Sequence, residues 1–341
     1  MSRAIARRLI TSGALVLAAF IEPAASRTDD DLPDLTDQIE VMASEVALEL
    51  QRVCSPASPS DQAAFDRCRR NLFGDSALRR SLAPRLLWGR RNQDAGAALK
   101  DTNLTQFAPD VIAGLYLSLF MYSGEYSTEY VEREGLYLIR LRAGFRNLLQ
   151  PGQFPYPFWH EEAKWGVYQA ANSVLLWVNP KTAKIVIGQF TERGTGSPVV
   201  ASQPIRPKFD GNWMWMDREG RIQPRVTLFD GLFEPDNPYL PKLDFAYRTL
   251  ALRMRDSQCD HCHMPNNPMP MRRLVLMHTP AHAAGEIARL MKAVREDKMP
   301  LDDTGIEQPL EPALKRALLE SGAAFEELVR AAKDWEAAQR H

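Results

Sequence analysis

Three things are scarce in this chain: cysteine, a long apolar run, and an excess of either charge. With 42 basic and 43 acidic side chains there is no positive surplus of the kind that holds nucleic acid, so nucleic acid is not an expected partner. The longest apolar run near the start, Leu9 to Ile21, is thirteen residues, short of the roughly 20 needed to cross a bilayer. It follows Arg3, Arg7 and Arg8 and precedes the small residues Ala24-Ala25-Ser26, which is the pattern of a cleavable export signal over residues 1–26. No cysteine stands at that cleavage region, which argues against a lipid anchor. Removing this segment takes away three Arg and one Glu, leaving 39 basic and 42 acidic side chains on 315 residues. That is room for two domains, and the expected product is exported, periplasmic and without a transmembrane segment.

The four cysteines fall into two pairs. Cys54 and Cys68 are separated by thirteen residues and, in an oxidising compartment, are expected to form a disulfide. Closing that loop stabilises by about 3 kcal/mol in the loop-entropy description. Cys259 and Cys262 belong to Cys259-Asp-His-Cys262-His263, a Cys-x-x-Cys-His sequence, the attachment site of a c-type haem. Two thiols spaced by one turn of backbone add to the two porphyrin vinyl groups, and the adjacent imidazole lies under the iron as proximal ligand. One such motif implies one covalent haem.

Along the chain, Leu35 to Val53 has apolar residues at helical spacing, and a second helical stretch is expected over about 61–87. Pro109 to Ser123 reads as a short, very apolar helix or buried segment. Gly135 to Leu141, Ser173 to Val178 and Lys184 to Thr191 read as strands, the last two joined by the hairpin signal Asn179-Pro-Lys-Thr-Ala183. Trp213 to Asp217 and Arg225 to Phe229 suggest a further pair. The run Phe154-Pro-Tyr-Pro-Phe-Trp159-His160, followed by Trp165 and Tyr168, reads either as a binding surface or as the core of a small sheet, and the core reading is favoured because buried aromatics dominate cores. Phe233 to Lys242, with Pro235, Pro238 and Pro241, is expected to be a linker. Beyond it Leu243, Tyr247, Leu250 and Met254 form one helical stripe that runs into Cys259.

From about residue 241 to 341 the sequence resembles a class I cytochrome c domain. A helix precedes the motif, a Pro-containing loop (Pro265 to Pro270) follows, a middle helix spans Ala281 to Asp297, Lys298-Met299-Pro300 comes next, and a last helix runs from Pro309 to Arg340. The resemblance implies Met299 as the second axial ligand and an all-α fold for this third of the chain. Ligand chemistry agrees, since a soft thioether paired with histidine favours ferrous iron. Met264, Met269, Met271, Met277 and Met291 are competing methionines, and His278 or His282 would give a bis-histidine site. His261 is expected to point to solvent. The expected architecture is therefore multidomain: the export signal 1–26, an α+β domain over 27–240 with helices first and antiparallel strands after, and an all-α cytochrome c-like domain over 241–341.

The function this predicts is electron transfer to or from a redox partner protein by one His/Met-ligated haem, without a catalytic array. The alternative is a haem enzyme or a gas or redox sensor whose site includes the N-terminal region. A zinc module built on Cys259, Cys262 and a histidine lacks recognised ligand spacing, and a thioredoxin-like role lacks the strand that precedes such a motif.

Overall fold

The computed structural model describes residues 32–58, 61–91, 98–102, 104–146, 168, 170–192, 196–199, 229, 231–263, 280–302 and 304–339. The export signal, the aromatic run through His160, the strand candidates at 213–217 and 225–228, and the 265–270 loop lie outside these residues.

The chain opens with helix α1 (Leu32–Val53), whose buried residues Leu35, Ile39, Ala43, Val46 and Leu50 recur at helical spacing. Helix α2 (Gln62–Phe73) is capped by Asp61, which accepts from the Ala64 amide at 2.9 Å. The expected disulfide is present: Cys54, just past α1, is bonded to Cys68 in α2, and both are buried. The short α3 (Ala77–Ser81) leads into strand β1 (Leu82–Arg90), so the second helical stretch expected over 61–87 is helical on both sides of a break at Gly74 as far as Ser81 and a strand from Leu82 onward. Pro84 is accommodated because it falls in an irregularity of the ladder between Leu82 and Leu87, where no regular pairing needs its missing amide hydrogen.

Strand β2 (Leu104–Phe107) is followed by α4 (Pro109–Val111), a π-helical turn (Ile112–Tyr116) and a 3₁₀ turn (Leu117–Leu119), all buried as the apolar run requires. Strands β3 (Phe120–Val131), β4 (Leu136–Phe145), β5 (Ser173–Asn179) and β6 (Lys184–Thr191) form a meander. The sheet has six strands in the order β2-β1-β6-β5-β4-β3. It is mixed rather than antiparallel, because β1 runs parallel to β6 in its centre. Alternation along β5 divides its two faces: Val174, Leu176 and Val178 face the main core, while Leu175 and Trp177 join Leu99, Leu138 and Ile187 on the other side.

Three helices follow: α5 (Leu240–Asp256), α6 (Pro280–Arg295) and α7 (Pro312–Gln339). They correct the expected architecture. The fold is α/β, and these helices do not make a separate all-α cytochrome domain. Their buried residues, among them Leu243, Tyr247, Ile287, Met291, Leu318 and Phe325, belong to the same core cluster as the helix-facing side of the sheet. Polar contacts reinforce the packing. Glu286 of α6 accepts from the Ala108 amide at 2.5 Å, and Arg289 donates to Gln106 at 2.8 Å. Asp110 of α4 pairs with both Arg79 of α3 and Lys333 of α7. At the α6–α7 crossing, Gly322 lies so close to the Met291 side chain that a Cβ there would collide with it.

The expected linker is likewise packed. Leu232, Phe233, Asn237 and Leu240 are buried. Arg69 of α2 donates to the Gly231 carbonyl at 2.9 Å, and Asn237 donates to the Ala332 carbonyl of α7 at 3.1 Å. Gly231 has φ +73°, and a side chain there would strike Arg69.

Two expectations follow. Residues 241–341 expressed alone should lack a cooperative thermal transition and should bind a hydrophobic dye, because the core face of α6 would be left uncovered; a sharp transition in the fragment would contradict the shared core. Burial raises the Glu286 carboxyl above its ordinary 4.5, against the lowering effects of the Ala108 amide and Arg289. The folded chain then binds that proton more tightly than the unfolded one, so the contribution of Glu286 to stability falls as pH rises above 4.5. Glu286→Gln keeps the acceptor for Ala108 and removes the ionisation. Its melting temperature relative to the wild type should rise progressively from pH 4.5 upward, and a pH-independent difference would rule this out.

Candidate functional site

Helix α5 delivers the Cys-x-x-Cys-His segment. It is anchored through Tyr247, whose ring is stacked on Phe325 of α7 at 5.8 Å and meets Phe229 edge-on at 5.5 Å. Arg253 and Arg255 in its last turn complement the negative end of the helix dipole. The helix stops at Asp256, and Gln258 takes a left-handed conformation with φ +58°. This conformation is uncommon for a residue other than glycine, and it redirects the chain at the start of the motif. Cys259–His261 then form a 3₁₀ turn, with the His261 amide bonded to the Gln258 carbonyl at 3.2 Å. The His263 amide donates to the Cys259 carbonyl at 3.0 Å and closes a full helical turn. Positions i, i+3 and i+4 of such a turn share one side. Cys259, Cys262 and His263 occupy those positions, all three half-buried, while His261 is exposed. Cys259 also packs against the main core.

Met299 lies on a separate element, the connection from α6 to α7. Helix α6 ends in a Schellman motif: Asp297 is left-handed at φ +54°, its amide bonds to the Val294 carbonyl at 3.3 Å, and the Lys298 amide bonds to the Ala293 carbonyl at 2.9 Å. Lys315 of α7 holds the Asp297 carboxylate at 2.7 Å. Met299 follows, half-buried, and the loop beyond it is tied down by Asp302. That carboxylate accepts from the Thr304 amide (2.9 Å) and hydroxyl (2.7 Å), the Ile306 amide (2.9 Å) and Gln308 (3.0 Å). These donors hold the Asp302 carboxyl down at about 2. The Gln308 amide returns to the Pro300 carbonyl at 2.9 Å, and Lys298 pairs with Glu307 at 2.7 Å. A methionine two residues past a capped helix end, on a loop fixed at several points, has little freedom to wander.

The competing ligands separate by position. His282 is fully buried in α6, with ring centroids 5.7 Å from Phe107 and 6.3 Å from Tyr116, in the core between that helix and the sheet. Met291 is buried at the α6–α7 crossing. Met264, Met269, Met271, Met277 and His278 lie outside the described residues. Tyr168 is fully buried, stacked on Phe190 at 4.0 Å and accepting from the Trp88 indole at 3.4 Å, so this member of the aromatic run is a core residue. Among the described residues no three His, Cys, Asp or Glu side chains converge on a common metal position, and no helix is long and apolar enough to cross a membrane.

Sequence reasoning missed the residues that position the site. Gln258 and Asp297 sit at left-handed positions usually given to glycine or asparagine, and neither carries a signal of its own. Asp302 was legible in principle, because Asp302-Asp-Thr-Gly305 is a turn sequence whose first side chain bonds backbone amides ahead of it. No protein-family model, no curated protein and no solved structure matches this chain.

Proposed function

We propose that this protein is an exported c-type cytochrome that carries one haem on Cys259 and Cys262 and passes electrons to or from a redox partner protein. The observation that supports it most is the turn closed by the His263 amide on the Cys259 carbonyl, which sets two thiols and one imidazole on the same side of the chain at the end of a well-anchored helix. Haem c, when bound, supplies a one-electron iron couple.

The residues divide the remaining work. Cys259 and Cys262 would hold the porphyrin at the end of α5, a helix that Tyr247 and Phe325 tie to α7. His263 would hold the iron through its neutral imidazole. Met299 would hold the iron as the second ligand, and its thioether would favour the reduced metal. The rigid α6–α7 loop serves this role because a ligand held in place costs little reorganisation when the charge on the iron changes. The disulfide between Cys54 and Cys68 is compatible with the oxidising compartment that the export signal implies.

A redox or gas sensor is the second reading, and one observation favours it. The helix bearing the attachment turn shares a continuous core with the sheet, so a change at the iron has a packed route to the rest of the molecule. The two readings differ at Met299: a carrier keeps it bound, while a sensor releases it for an incoming ligand.

Produced in cells with a working cytochrome c maturation system, the protein should gain the mass of one haem and keep its colour on a denaturing, reducing gel. A colourless product, or colour that survives in the Cys259→Ala, Cys262→Ala double variant, would sink the proposal. Carbon monoxide should leave the reduced wild-type spectrum unchanged and bind fully to Met299→Ala. Full binding by the wild type would point to the sensor, and an unaltered spectrum in the variant would remove Met299 as ligand.

A further inference from the structure

Strand β4 ends at Phe145, and the next residue, Arg146, carries the largest side chain buried almost completely in the described chain, at 1% exposure. Its backbone amide is bonded to the Leu119 carbonyl at 2.7 Å, which fixes where the side chain begins. The guanidinium lies 6.0 Å from the centroid of Phe65, in the first turn of α2, and makes one long hydrogen bond, 3.4 Å, to the Ser55 carbonyl. Its Nε and Nη1 are buried and have no hydrogen-bond partner among the described residues.

A guanidinium offers five donors and never an acceptor. Buried charges in folded proteins are paired, and a buried donor without a partner calls for a water or an ion to meet it. The surroundings do not supply the balance. The N-terminus of α2 is the positive end of a twelve-residue helix, and Arg67 adds a second cation nearby. Among the described residues Asp61 is the opposing charge that acts on Arg146, and its carboxylate already serves as the helix cap, accepting from Ala64. Burial accordingly works against the charged form of Arg146.

We propose that Arg146 and the first turn of α2 bind a small oxyanion of the carboxylate or phosphate class, which accepts from the guanidinium hydrogens that meet no acceptor among the described residues. A buried guanidinium suits such an anion because its donors are charged and fixed in a plane. The site does not depend on the haem proposal, since none of its residues belongs to the attachment turn or the Met299 loop.

The test uses the full chain in buffers of matched ionic strength, with chloride as reference and inorganic phosphate or acetate as probe. Binding to the folded state raises the melting temperature in a saturable way. Wild-type protein should show this with phosphate or acetate, and whichever acts at lower concentration identifies the class. Arg146→Met, which keeps the bulk and removes the charge, should fold and show no difference from chloride. No saturable response in the wild type, or an undiminished response in Arg146→Met, overturns the proposal. Should that variant fail to fold, the Arg146 Nε–H proton resonance of the wild type decides: it should shift with the probe anion, and a resonance that stays in place overturns the proposal as well.

Discussion

Asp110 is the point on which the assembly depends. Its carboxylate is largely shielded from solvent and receives Arg79 from α3 on one side and Lys333 from α7, at 2.5 Å, on the other. Lys333 in turn lies 4.0 Å above the Phe73 ring at the end of α2. One acidic side chain, on a short helix between strands β2 and β3, therefore joins the N-terminal helices to the last helix of the chain. The neighbouring Ala108 amide is taken by Glu286 of α6, so the segment from Gln106 to Asp110 is gripped by two C-terminal helices at once. Partly buried pairs of this kind gain little net energy from attraction alone, because desolvation offsets it; their effect is to exclude other arrangements of the same apolar faces.

Once α6 and α7 are fixed in this way, the candidate site follows. The turn bearing Cys259, Cys262 and His263 grows out of α5, which is held by α7. The loop bearing Met299 connects α6 to α7. Both the turn and the Met299 loop are thus mounted on helices whose positions are set by the sheet and by Asp110. The same dependence explains why a division into a carrier and an independent binding domain does not describe the packing.

Much of this was legible from the chain, and the failures have physical causes. Strands β5 and β6 were read correctly because alternation and a proline-containing turn act within a few residues. Strand β1 was missed because Leu78 to Leu87 mixes leucines with Arg79, Arg80 and Arg85 without alternation and contains Pro84, whose missing amide hydrogen is harmless only at a ladder irregularity that no local pattern announces. Helix α5 was recognised from its stripe and α6 and α7 from the order of parts in the cytochrome resemblance, but a stripe says that a face is covered and not by what. Helix α6 held a clue in its composition: Ala281, His282, Ala283, Ala284, Glu286 and Ile287 are all buried, a helix start enclosed on nearly every side. A polar residue buried so deeply needs a neighbour beyond its own region, and here the neighbours are Phe107, Tyr116 and the Ala108 amide. The Cys-x-x-Cys-His motif stands out at once because it is written into two residue types at fixed spacing.

The two cysteine pairs make opposite demands on the cell. Cys54 and Cys68 must lose their protons and electrons to an oxidant to form the bond between α1 and α2 seen here. Cys259 and Cys262 must arrive as thiols if they are to add across vinyl groups. A chain translocated from its N-terminus presents the first pair well before the second, so order of emergence can keep the two chemistries apart. An exchange between pairs, Cys68 with Cys259 for example, would leave the porphyrin without an anchor and α1 without its tether in a single step. If the proposed haem is attached after export, maturation becomes a problem of sequence in time, with oxidation of the first pair before thioether formation at the second.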